Sequence, residues 1–126
     1  MTKEKALELL NIYGKAWVER DPELILSIFT PDATYNDPRE KENQGHEGIR
    51  NYWKTKVVNG QKDIRFELLN TWMDGDTVIA EWRAEFTDTI RNLGIDMTEV
   101  AIFTVRGDKF SGLREYYKSV KTPLNV

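Results

Sequence analysis

The stretch FTPDATYNDP, residues 29–38, marks the change from helix to strand around which the chain is arranged. Pro31 cannot continue the preceding helix, because its ring clashes with the turn before it and it has no backbone N–H to donate. Side chains alternate across a strand, so Ala33, Tyr35 and Asp37 share one face. The next residue is a second proline, which ends strand pairing. The pattern therefore predicts a strand over 33–37 that carries a carboxylate on its apolar face to the edge of a cavity. Alternatively, Asp-Pro is a turn in which Asp37 accepts hydrogen bonds from backbone amides.

Composition is typical of a soluble globular protein. The chain has 126 residues, of which 40% are hydrophobic and 31% charged, so we expect one domain over residues 1–126. No run approaches the roughly 18 apolar residues of a membrane span. The N-terminal MTKEKALELL lacks the apolar segment and cleavage site of a secretory signal. We therefore expect a cytoplasmic location and no membrane partner.

Residue counts also narrow the chemistry. The chain has no cysteine, which excludes disulfides and thiolate catalysis, and its single histidine argues against a dedicated zinc site. The net charge of −3 and the lack of a basic run argue against a nucleic-acid surface. We expect no metal and no organic cofactor, and a partner that is a small molecule or another protein.

The N-terminal half has the apolar spacing of three helices. Residues 2–20 form an amphipathic pattern with Tyr13 in its apolar stripe, and Gly14 weakens that helix unless something packs closely against it. Tyr13 either faces a pocket or is a core aromatic whose hydroxyl reaches the surface. Asp21-Pro22-Glu23 predicts the start of a short second helix. His46 precedes a third helix and either stabilises its first turn or borders the cavity mouth.

From residue 63 onward the apolar period changes from 3.6 to 2, and turn signals divide the chain into four strands. Glu99 lies on the apolar face of the third of these runs, at residues 95–105. Burying an unpaired carboxylate costs several kcal/mol, so Glu99 needs a partner or a function. The structural alternative is a sheet-edge or interface glutamate that is paired with an arginine.

The last run, residues 110–120, has apolar groups on both faces, including Leu113, Tyr116 and Tyr117. One face would be covered by the helices. The other face would be covered by a second copy, which predicts a homodimer through the outer face of the sheet.

Three helices, a short strand between the second and third, and a long antiparallel sheet make an α+β cone. This order, with the run ERDPELILSIFTPDATYNDP, the following segment 45–53 and the closing LREYY, resembles the nuclear transport factor 2-like superfamily. Its members include ketosteroid isomerase, SnoaL-like polyketide cyclases, scytalone dehydratase and limonene epoxide hydrolase. The resemblance covers the whole chain and implies a cone-shaped curved antiparallel β-sheet packed on three N-terminal helices. It does not imply one function, because this fold carries enzymes, ligand carriers and assembly domains.

Comparison with ketosteroid isomerase implies roles for two residues of this chain. It also indicates that one catalytic acid of the isomerase has no counterpart here. Tyr13 matches the family's oxyanion-hole tyrosine, and Asp37 matches its catalytic base. Ala101 stands where the isomerase has a protonated aspartic acid, so part of the oxyanion hole is missing. Glu99 could replace that acid only if the pocket is shifted by about 7 Å along the strand. Trp53 replaces the tyrosine that extends the isomerase's hydrogen-bond network, and an indole cannot relay a proton as a hydroxyl does.

Two classes of function follow. The first is acid/base catalysis on a small apolar molecule (isomerisation, cyclisation, dehydration or hydration), with Asp37 as the base, Tyr13 as the donor to a developing oxyanion and Glu99 as a possible second acid. The second is a non-catalytic ligand-binding or assembly domain in which indoles fill the cone. The two differ in whether Asp37, Tyr13 and Glu99 converge on an open cavity. The residues expected to bind the ligand are Trp17, Trp53, Trp82, Met97, Phe103 and His46.

Overall fold

The computed structural model describes residues 1–37 and 40–124. Its helices are α1 (Lys3–Glu19), α2 (Pro22–Leu26) and α3 (Gly45–Trp53), and α3 continues into one π-helical turn, Lys54–Val58. The Thr2 hydroxyl accepts from the Lys5 backbone N–H at the start of α1, and the Asp21 carboxylate accepts from the backbone N–H groups of Glu23 and Leu24 at the start of α2. Both helix starts therefore have side-chain caps, and the cap at α2 is part of the Asp21-Pro22-Glu23 helix start that the sequence predicted.

Six strands form one curved, open sheet in the order β2-β1-β6-β5-β4-β3. Their bounds are β1 Phe29–Asn36, β2 Asn43–Gln44, β3 Gln61–Asp74, β4 Thr77–Asp88, β5 Leu93–Arg106 and β6 Lys109–Pro123. The pairs β3–β4, β4–β5, β5–β6 and β1–β2 are antiparallel, whereas β1 and β6 are parallel. The predicted α+β fold class is confirmed. The parallel pair was not predicted, because it joins segments that are distant in sequence.

Strand β1 begins four residues earlier than the predicted 33–37 and ends at Asn36. Phe29 already pairs with Phe110 of β6, and pairing resumes at Thr34 and Gly112. Pro31 lies in the interruption between these two pairs, where its missing N–H costs no ladder hydrogen bond. Asp37 follows directly after the strand, and the proline predicted to stop pairing lies outside the described residues.

The helices pack on one face of the sheet and enclose the core. A Cβ at Gly14 of α1 would lie 2.4 Å from Cδ1 of Phe66 on β3, which confirms the predicted close packing at this glycine. The core contains Tyr13, Trp53, Trp82 and Phe103, each no more than 2% exposed. Within the described ranges, no helix is both long and apolar enough to cross a membrane.

Candidate functional site

A cavity of about 520 Å³ opens between the helices and the concave face of the sheet. Its lining includes Tyr13 from α1, Asp37 from the end of β1 and Glu99 from β5. The structure thus brings together the three residues predicted to carry the chemistry, although their catalytic roles stay predictions. Trp17, Trp53 and Met97 also line the cavity, as the sequence predicted for its walls.

Three residues predicted as ligand-binding do not line this cavity. Trp82 is 0% exposed, and its ring packs against Tyr13 at a centroid distance of 4.9 Å. Phe103 is also fully buried and stacks on Phe110 at 4.2 Å. His46 Nε2 lies 2.9 Å from the Phe29 carbonyl oxygen, which ties the start of α3 to β1. Trp82 and Phe103 belong to a buried layer of the inward strand face that lies apart from the cavity wall, whereas His46 is held at the start of α3.

A triangle of hydrogen-bonding oxygens lies in the cavity and joins α1, β1 and β6. The hydroxyls of Tyr13 and Tyr35 donate to Glu115 Oε1 at 3.0 and 2.8 Å, and the two hydroxyl oxygens lie 2.8 Å apart. Two tyrosines supply only two protons for three contacts, so the third contact holds a proton only when Glu115 is itself protonated. Burial raises the pKa of Glu115 to about 7 despite these two donors. Burial, followed by the charge of Glu115, raises the pKa of both tyrosines.

Glu115 is the main residue that the sequence analysis missed. It shares one strand face with Leu113 and Tyr117, because side chains two residues apart point to the same side. The signal was hidden because the last strand carries apolar residues on both faces. Glu115 is 6% exposed and pairs with Ala101 across β5 and β6. A carboxyl group is therefore present beside the position where the comparison with the isomerase predicted a missing acid.

Glu99 is 3% exposed, and its Oε2 has no hydrogen-bond partner among the described residues. Burial raises the pKa of Glu99 well above its usual range, and the charges of Glu115 and Asp37 raise it further. Trp82 pairs with Glu99 across β4 and β5, and its indole opposes this rise, yet the indole N–H falls short of hydrogen-bond geometry. The arginine partner suggested as an alternative is not found among residues 1–37 and 40–124. Burial therefore favours the protonated form of Glu99 while the cavity holds no cation.

Asp37 is 4% exposed, and Tyr117 of β6 donates a hydrogen bond to its Oδ2 at 2.8 Å. The turn predicted as an alternative also exists in the main chain, because the Glu40 N–H donates to the Asp37 carbonyl oxygen at 2.9 Å. The backbone thus turns away after β1 while the carboxylate belongs to the cavity lining. Tyr117 was assigned to the last strand but not to the site.

The basic side chains described in the lining lie towards its mouth. Lys56 pairs with Glu40 at 2.5 Å, and Arg91 pairs with Asp88 at 2.8 Å. Both basic side chains are about half exposed, at 46% and 57%. In the described part of the chain, no three acidic or histidine side chains are grouped closely enough to hold a metal ion. The interior therefore combines acids, phenols and apolar walls.

The chain is similar to known proteins in its fold and, over residues 11–112, in its sequence profile. Solved structures with the same fold include a putative isomerase from Bacillus subtilis, which is 20% identical with a TM-score of 0.82 over 94% of this chain and 90% of that one. An LEH-like epoxide hydrolase from M. tuberculosis is 13% identical, with a TM-score of 0.75 over 91% of this chain and 84% of that one. SalBIII, an epoxide hydrolase/cyclase-like enzyme of pyran ring formation in the polyether salinomycin, is 23% identical, with a TM-score of 0.76 over 92% of each chain.

At these identities the similarity shows the fold alone. Comparison with curated proteins finds no match to this sequence. The sequence profile of the SnoaL-like domain, however, matches residues 11–112, which are most of the chain and include Tyr13, Asp37 and Glu99. The chain belongs to the SnoaL-like domain family.

Proposed function

We propose that this protein is a cofactor-independent acid/base catalyst that opens a carbon–oxygen bond, such as that of an epoxide, in a small and largely apolar molecule. The observation that carries the proposal is the meeting of two buried carboxyl groups, Glu99 and Asp37, in one open cavity, where burial raises the pKa of Glu99. Two carboxyl groups that border one cavity can act as acid and base in the same reaction. The epoxide hydrolase-like and cyclase-like relatives of the same fold support this class of reaction.

The charge distribution favours this reaction over enolate formation. An enolate oxygen beside Tyr13 would develop negative charge next to Glu115, and the Tyr13 proton is already donated to that carboxylate. Acid-assisted opening of a carbon–oxygen bond instead develops positive charge on carbon. The negative charges of Asp37 and Glu115 would stabilise such a charge, because they act in a buried environment of low dielectric constant. Steroid-type isomerisation is thus the less favoured member of the reactions expected from the sequence.

The proposed step balances as follows. Asp37 removes a proton from a water molecule while the water oxygen forms a bond to an epoxide carbon. The bond between that carbon and the epoxide oxygen breaks, and the Glu99 proton moves to the departing oxygen. The product is a vicinal diol, or a cyclic ether when the attacking group is a hydroxyl of the substrate. Return of the proton from Asp37 to Glu99 through solvent restores the starting state.

Conversion of cyclohexene oxide in heavy-oxygen water, with mass spectrometry of the diol, tests this proposal. The wild type should form a diol that carries one heavy oxygen atom, and Asp37→Asn and Glu99→Gln should each lose at least about a hundredfold in kcat, since general acid or base catalysis contributes on that order. Glu85→Gln is the matched control, because Glu85 pairs with Arg83 outside the cavity. If both site variants retain wild-type rates on every epoxide that the wild type converts, the assigned roles are wrong.

We further propose that the outer face of the sheet pairs two copies of this chain. Val100 and Tyr116 are neighbours across β5 and β6 and are 36% and 49% exposed. Trp72 on β3 is 50% exposed. Exposed apolar groups on one strand face favour association with another apolar surface.

A further inference from the structure

We propose that the ligand of this cavity carries a protonated amine on an apolar body, with the ammonium group held beside Glu99 and the surrounding aromatic rings. The inference rests on the proposed function only in using the same cavity. It names a class of ligand, alkylammonium compounds, which the proposed carbon–oxygen chemistry by itself does not require.

The first support is an acceptor that the protein leaves unused. Glu99 lines the cavity, is 3% exposed, and its Oε2 has no hydrogen-bond partner among the described residues. Leaving a buried polar atom unpaired costs roughly 1–3 kcal/mol, so such atoms are rare without a reason. Glu115, which also lines the cavity, adds a second carboxyl group close enough for its charge to act on Glu99. An ammonium group placed here would favour the ionised form of Glu99, because an opposite charge nearby lowers a carboxyl pKa, and its N–H groups could donate to both carboxyl groups.

The second support is the aromatic wall. Tyr13 contacts Trp17 and Trp53 edge to face at centroid distances of 6.3 and 6.1 Å, and Tyr35 contacts Tyr52 at 5.1 Å. All five residues line the cavity. The faces of electron-rich rings attract cations, and this attraction strengthens when water is excluded. The same rings give an apolar ligand body a surface on which to pack.

The third support is where the positive charges lie. The basic side chains described in the lining are Lys56, Arg91 and Lys121, and all three are well exposed. Lys56 and Arg91 are also paired with acidic neighbours at the mouth. Among the described residues, the interior thus has carboxyl groups without a buried cation to balance them. A neutral isostere gains nothing from this arrangement, and an anionic isostere is repelled by it.

Three cyclohexane derivatives of nearly equal size test the inference by isothermal titration calorimetry at about pH 8, where an alkylamine is still protonated. Cyclohexylammonium should bind about tenfold or more tightly than cyclohexanol, and cyclohexanecarboxylate should bind most weakly. Glu99→Gln should lower the affinity for cyclohexylammonium about tenfold and change that for cyclohexanol by less than about twofold. Glu85→Gln should leave all three affinities unchanged. The wild-type ranking needs no variant, so the inference stays testable if Glu99→Gln does not fold.

The outcomes separate this inference from the proposed function. If cyclohexanol binds as tightly as cyclohexylammonium, the amine inference is wrong, whether or not cyclohexene oxide is converted. If cyclohexylammonium binds selectively and Glu99→Gln removes that selectivity, the inference stands even when no epoxide is opened. Selective binding that persists in Glu99→Gln would place the ammonium elsewhere and overturn the assigned position.

Discussion

Ala101 faces Glu115 across the β5–β6 ladder, so a small side chain on one strand leaves room beside the acidic side chain on the next. Glu115 uses its Oε1 to accept from Tyr13 of α1 and Tyr35 of β1. One carboxyl group therefore links the first helix, the first strand and the last strand at the cavity. The comparison with the isomerase predicted that an acid is missing at Ala101. The structure has an acid, Glu115, on the adjacent strand, and Glu115 accepts hydrogen bonds from both tyrosines.

The free energy of unfolding should depend on pH through Glu115. Its pKa is raised from 4.5 to about 7 in the folded protein, so its contribution to stability is fully present below about pH 4.5 and is lost as the pH rises towards 7. The loss from this group is about 3 kcal/mol. Urea unfolding at about pH 5 and about pH 8 measures it. Glu115→Gln keeps an acceptor for the tyrosines but cannot ionise, so its stability should fall by about 3 kcal/mol less over that interval. An equal fall in both proteins would contradict this prediction.

Tyr117→Phe should lower the rate of the proposed reaction by positioning Asp37 less well. The hydroxyl of Tyr117 donates to Asp37 Oδ2 at 2.8 Å, and losing one hydrogen bond to a carboxylate costs on the order of 1.5 kcal/mol. We expect kcat for cyclohexene oxide to fall about tenfold with KM nearly unchanged. Tyr116→Phe is the control, since Tyr116 is adjacent in sequence but lies on the outer face, 49% exposed. A rise in KM alone would instead assign Tyr117 to substrate binding.

Gly14→Ala should destabilise the protein although alanine favours helices. The added Cβ would lie 2.4 and 2.7 Å from two ring carbons of Phe66, and such overpacking costs roughly 1–3 kcal/mol against a gain of about 1 kcal/mol in helix propensity. Thermal unfolding of Gly14→Ala measures the net loss. Combining it with Phe66→Leu should restore part of the stability, because the smaller side chain leaves space for the methyl group. A Gly14→Ala protein that melts above the wild type would show that Phe66 moves aside freely.

Val100→Glu should weaken the proposed homodimer. A carboxylate at the centre of an apolar interface must be desolvated without a partner, which costs several kcal/mol and corresponds to at least about a hundredfold in the dimer dissociation constant. Sedimentation equilibrium across protein concentrations measures it. Glu81→Gln, on the same sheet face but without an added charge, is the control. A wild type that stays monomeric at about 100 μM would contradict the proposal, since a stable homodimer has a dissociation constant well below that concentration.

Much of the fold followed from local patterns. The change of apolar period near residue 63 located the sheet, and Pro31 with Asp21-Pro22 located the breaks between helices and strand. Alternation placed Asp37 and Glu99 on inward faces, where both are buried. These features depend on neighbours within a few residues, which is why one sequence was enough to predict them.

The rest depended on register between distant strands. Glu115 could not be assigned to the site until β6 was known to lie between β1 and β5, since its own strand has apolar residues on both faces. Alternation predicts which sheet face Trp82 lies on but not whether it lines the cavity. In the structure Trp82 pairs with Glu99 of β5, and its ring packs against Tyr13. The parallel pairing of β1 with β6 likewise leaves no local signature, because its partners are about 80 residues apart.

The placement of β6 between β1 and β5 also sets when the site can exist during protein synthesis. The hydrogen bonds from Tyr13 and Tyr35 to Glu115 span 102 and 80 residues, so the ribosome has translated most of the chain before either can form. A nascent chain that has emerged only as far as Asp108 has both tyrosines, Asp37 and Glu99, but neither Glu115 nor Tyr117. Contacts of such long range form late and slow the folding of small domains. Ligand binding should therefore report completed folding, and a compound that fits the cavity should act on the finished protein rather than on a folding intermediate.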